Sequence, residues 1–117
     1  MEILPETGGK LMAVRMSGTI TEDDYDRCLS EAELAAPENV EQLVLDWEHL
    51  QGWEPGARSV GTWFGLHYRA LVGRVAVIAD EKWAHEVVRI TDIYKSAEVR
   101  QFAPEKRELA FAWVRQD

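Results

Sequence analysis

Apolar residues along this chain fall in short blocks separated by glycine, proline and charged clusters, and the spacing within each block sets the element expected there. Ile3-Leu4 and the run Leu11 to Met16 flank Thr7-Gly8-Gly9-Lys10, which reads as a β-hairpin. Thr21 then opens a helix. Its hydroxyl can accept from a backbone N–H of the first turn, and Glu22, Asp23 and Asp24 suit the positive end of the helix dipole. Tyr25, Cys28, Leu29 and Ala32 share one face of that helix, and Pro37 stops it. Leu43-Val44-Leu45 is a short strand that ends on Asp46, followed by a loop from Trp47 to Gly56. Val60, Trp63, Phe64, His67 and Leu71 form a second helical stripe, stopped at Gly73. Val75-Ala76-Val77-Ile78 is apolar at every position, as in a strand buried on both faces of a parallel sheet. Asp80 is the expected cap of the next helix, with Ala84, Val87, Val88 and Thr91 facing inward. Glu98 to Phe102 is the last strand, and Pro104 suits the first turn of a final helix ending in Trp113. The order ββαβαβαβα predicts an α/β fold. Its sheet is mixed and mostly parallel, covered by helices, because strands joined by helices of this length need right-handed crossovers.

Composition narrows the class. One domain spanning residues 1–117 is expected, since 117 residues bury roughly two-thirds of the surface that the unfolded chain exposes. The formal charge of −8 opposes binding to nucleic acid or to anionic headgroups. A single cysteine, Cys28, cannot form an internal disulfide, and no basic segment followed by an apolar stretch opens the chain, so a cytoplasmic location is expected. No apolar run approaches the roughly 20 residues needed to span a bilayer, so no integral membrane segment is expected.

Residues spread over most of the chain resemble one family. They are Ser17-Gly18 with Thr21, Asp24 and Tyr25; Asp46 with Gly52-Trp53; the stretch Leu66 to Trp83 with His67, Arg69, Arg74, Asp80 and Glu81-Lys82; and Ala97-Glu98-Val99-Arg100 with Phe102, Pro104 and Trp113. The pattern is similar to the SpoIIAA-like family of small bacterial proteins, relatives in fold of the STAS domain. The resemblance implies a STAS-like or Sec14-like α/β fold, in a family whose biochemical role is largely undefined. Anti-sigma-factor antagonists of similar fold carry a phosphorylatable hydroxyl where a helix follows the Asp-terminated strand. Here that stretch reads Trp53-Glu54-Pro55-Gly56-Ala57-Arg58, with no hydroxyl before Ser59, so the phosphoswitch does not carry over.

The residues themselves offer little catalytic chemistry. Asp46, His49, His67, Asp80 and His85 are candidates for acid–base or metal work, but their spacing matches no motif, and the expectation is no metal, no cofactor and no catalytic residue. Cys28 lies on the inward face of an acidic helix, where a thiolate is disfavoured. Asp46 is expected to be structural, accepting from loop N–H groups. Tryptophan is the unusual excess, at five residues. Trp47, Trp53 and Trp63 fall in and just after the loop that leaves a strand's carboxyl end, where ligands of α/β sheets are usually met. The expected binding residues are therefore Asp46, Trp47, Trp53, Trp63 and His67. They would serve a protein partner or, as the alternative, a small apolar, lipid-like ligand; a homodimer is left open.

Overall fold

The computed structural model describes residues 1–37, 39–57 and 71–116. Seven strands and three helices occur among them: β1 (Glu2–Ile3), β2 (Leu11–Arg15), β3 (Gly18–Ile20), α1 (Glu22–Ala35), β4 (Gln42–Asp46), β5 (Leu50–Trp53), β6 (Arg74–Ile78), α2 (Ala84–Ile93), β7 (Glu98–Phe102) and α3 (Arg107–Val114). Five strands form one sheet in the order β1-β2-β4-β6-β7. β1 runs antiparallel to β2, and every other pair in that sheet is parallel. The hairpin, the mostly parallel sheet and the interior place of β6 are as the sequence predicts. The predicted helix through Val60 to Leu71 falls almost wholly outside the described residues, and with it Ser59, Trp63 and His67.

Alternation along the strands divides the core between the two faces of the sheet. On one face Met12, Val14, Leu43, Leu45, Val75 and Val77 pack with α1 through Tyr25, Cys28 and Ala32, and with α2 through Val87, Ile90 and Tyr94. On the other, Leu11, Ala13, Val44, Ala76 and Ile78 meet Ala110, Phe111, Trp113 and Val114 of α3. A reciprocal box closes the start of α1: Thr21 Oγ1 accepts from the Asp24 N–H at 3.1 Å, and Asp24 Oδ2 accepts from the Thr21 N–H at 2.8 Å.

Three local expectations need correction. The Trp47–Gly56 stretch is not all loop: Leu50–Trp53 is a strand paired in parallel with β3, a second two-stranded sheet. β2 and β4 part after Arg15 and Asp46 and their chains pair again as β3 and β5, with Gly18 taking the positive φ of 66° that the bend requires. Asp80 makes no side-chain cap; a 3-10 turn over Glu81–Trp83 precedes α2 instead. Ala84, Val88 and Thr91 are exposed, Val88 by 59%, because the inward stripe of α2 runs through Val87 and Ile90 to Tyr94 just past its end.

Candidate functional site

β4 delivers Asp46 and Trp47 to the carboxyl edge of the main sheet, and alternation sends their side chains to opposite faces. Asp46 takes the α3 face. Its side chain is fully buried, yet each oxygen is satisfied: Oδ1 accepts from the Glu48 N–H at 3.0 Å, and Oδ2 from Arg15 Nε at 3.2 Å and from Arg107 Nη1. The arginines also reach two further acids, Arg15 to Glu2 at 3.4 Å and Arg107 to Glu6 at 3.3 Å. Partial burial alone would lower the Arg107 pKa. The hydrogen bonds and negative charge of Asp46, and of Glu6, outweigh it and hold the guanidinium above its ordinary range. The expected bond from the loop N–H is present, but sequence reasoning missed both arginines. The assembly ties β1, β2, β4 and the start of α3 together.

Trp47 takes the opposite face and is only 2% exposed. Its indole N–H points at Met16 Sδ, 3.0 Å away. Trp53 comes from the end of β5 and Trp83 from the turn before α2, so three distant segments bring three indoles together. The ring centroids are 5.6 Å apart for Trp47 and Trp53, 5.7 Å for Trp53 and Trp83, and 6.5 Å for Trp47 and Trp83, with interplanar angles of 85°, 90° and 75°. Each edge therefore meets a neighbour's face, the arrangement that suits the indole quadrupole. Trp53 also donates to the Tyr25 hydroxyl at 2.7 Å, which joins the triad to α1. Trp53 and Trp83 are half-buried, and the Lys82 ammonium lies 5.4 Å from the Trp83 ring centroid. Sequence reasoning grouped Trp47 with Trp53 but missed Trp83. The only signal for it was its place just after the carboxyl end of β6, a strand adjacent to β4.

Among the described residues, the remaining candidates do not gather. His49 is exposed, with Nε2 3.9 Å from the Glu48 carboxylate. Asp80 lines a shallow open cleft between the ends of β6 and β7, with Glu81, Lys82, Gln101 and Glu105 among alanines. Among the described residues, no three His, Cys, Asp or Glu side chains are grouped so as to hold a metal ion. Cys28 is buried, and loss of solvation pushes its thiol up to about 11, so it stays protonated at neutral pH. Among the same residues no helix is long and apolar enough to cross a membrane.

The SpoIIAA-like family model matches residues 11–115, from the first residue of β2 to just past α3. The chain belongs to the SpoIIAA-like family. A crystal structure of an uncharacterized DUF3478-family protein with a SpoIIAA-like fold, from Shewanella loihica PV-4, is similar at a TM-score of 0.71 and 24% identity, over 97% of this chain and 90% of that one. At that identity the likeness shows the SpoIIAA-like fold alone. A comparison with curated proteins finds no match.

Proposed function

We propose that this SpoIIAA-like chain is a single-domain, non-catalytic binding module that contacts a protein partner through the aromatic face built from Trp53 and Trp83. The observation that carries this reading is the tryptophan triad. Three indoles from β5, from the segment after β4 and from the turn after β6 converge where a parallel sheet presents its ligands, and two of them keep part of their surface outside the core. Indoles fixed by edge-to-face contacts lose little entropy on binding and bury a large area, as the anchors of protein interfaces do. Within this reading Trp47 and Asp46 are scaffold, because Trp47 is 2% exposed and Asp46 not at all. Trp63 and His67 remain in the proposed face from sequence reasoning alone. The proposal of no catalysis draws support from the chemistry of the reactive groups: the carboxylate of Asp46 is saturated by two guanidinium groups and an N–H, and the Cys28 thiol is buried and protonated.

Native mass spectrometry of the protein purified from its own host tests the reading. A retained second polypeptide supports the partner-binding module. A retained lipophilic small molecule would replace it with the carrier of an apolar ligand, and a bare chain after gentle isolation would contradict both.

A further inference from the structure

The two outer edges of the main sheet differ. β1 is two residues long and runs into Pro5, so it offers almost nothing to pair with. β7 is five residues long, contains no proline or lysine, and pairs with no other strand on its outer side among the described residues. Two hydrogen bonds fix which groups point outward. The Glu98 N–H donates to the Gly73 carbonyl at 2.9 Å, and the Phe102 carbonyl accepts from the Ala79 N–H at 2.9 Å. Residues 98, 100 and 102 therefore turn their backbone groups toward β6, and Val99 and Gln101 turn theirs to the open side.

The sequence Glu98-Val99-Arg100 is its own complement when a second copy runs antiparallel to it. We infer that the β7 edge is a homodimer interface in which two copies pair antiparallel about Val99, joining their sheets into one. In this register Val99 faces Val99 of the second copy as a hydrogen-bonded pair, exchanging two N–H···O=C bonds. Each Gln101 N–H meets the Ala97 carbonyl of the other copy. The Ala97 N–H is already given to the Tyr94 carbonyl at 2.9 Å, so this position contributes one bond per copy and the interface has four. Glu98 of each copy then stands opposite Arg100 of the other, in the closely spaced type of pair, with Cα atoms about 4.5 Å apart.

Charge selects the register. In the single chain Glu98 Oε1 and Arg100 Nη2 already pair at 3.1 Å, with both side chains about half exposed, across two residues of one strand. Their Cα atoms are about 6.6 Å apart along that strand, so the cross-strand partner is nearer. Two copies give a square of alternating charge on the α3 face. Pairing about Arg100 instead sets Arg100 against itself, and pairing about Gln101 leaves both charges opposite uncharged residues. The net charge of −8 per chain opposes association in general, which makes local complementarity decisive at this edge.

The test is sedimentation equilibrium on the full chain and four variants, with circular dichroism confirming that each is folded. The unmodified chain should dimerise reversibly. E98R places arginine opposite arginine and R100E places glutamate opposite glutamate, so each should weaken dimerisation by roughly tenfold or more. The double variant E98R/R100E restores opposite charges in the same register and should recover the dimer. R100E also loses the guanidinium that lies 5.0 Å from the Trp113 ring centroid, so E98R is the cleaner single change. V99P removes an outward N–H without touching the ladder to β6 and should abolish pairing. A chain that stays monomeric throughout, a dimer indifferent to E98R and V99P, or a double variant no better than the singles would overturn the inference.

Discussion

Among the described residues Asp46 is the one buried charged side chain, and a fully buried carboxylate is tolerable only when its charge is answered in place. Arg15, Arg107 and the Glu48 N–H answer it. Arg107→Leu keeps most of the volume and removes one of the two cations, so it should cost about 3 kcal/mol in urea unfolding; a loss below about 1 kcal/mol would mean that Arg15 alone suffices. The strand-end role of Asp46 was legible in the sequence, since the short loop after it supplies an N–H two residues on. Its cationic partners were not, because they lie 31 and 61 residues away and only the folded sheet brings them near. Cys28 gives a pH dependence of definite sign. Burial raises its thiol from 9.0 to about 11, so the folded state holds its proton more tightly than the unfolded state does. The stabilisation is full below pH 9 and is lost as the pH rises through about 11. The stability difference between the unmodified chain and Cys28→Ala should therefore narrow across that window, and a constant difference would contradict a buried thiol.

At the scale of elements, the sequence revealed whatever is long or strictly periodic and hid what is short. β6 was legible because four consecutive apolar residues leave no exposed side, and all four are wholly buried. Val77→Asp places an unpaired carboxylate in the core between the sheet and the helices α1 and α2, at a cost of several kcal/mol against a total stability of roughly 5–15 kcal/mol. The variant should be insoluble or lack a cooperative thermal transition; a soluble protein with a sharp transition would refute the interior position. β3 and β5 escaped notice because three and four residues containing Gly18 and Gly52 carry no alternation, and their pairing is set by β2 and β4 rather than by local propensity. The Asp80 cap failed for a related reason. A 3-10 turn intervenes before α2, and the same turn places Trp83 against Trp47 and Trp53.

For the whole molecule, the faces of the sheet divide the labour. The α3 face is fastened by Asp46 and its arginines, and the opposite face gathers Trp47, Trp53 and Trp83 at the carboxyl edge, with Trp47 buried and Trp53 and Trp83 partly open. The fold was readable because its strands and helices alternate over nearly the full length and match a family pattern from residue 11 to residue 115. The candidate site was readable only as an excess of tryptophan beside a strand end; which rings meet, and which stay exposed, depends on tertiary contacts between residues up to 36 positions apart, Trp47 and Trp83 being the extreme pair. The central claim is that this triad is a recognition face, and the most direct test is the affinity of Trp53→Ala for the polypeptide that co-purifies with the unmodified chain, measured by calorimetric titration. The variant should keep its circular dichroism spectrum and a cooperative thermal transition while losing roughly 2 kcal/mol or more of binding free energy. Undiminished affinity, or a variant that does not fold, would contradict the claim.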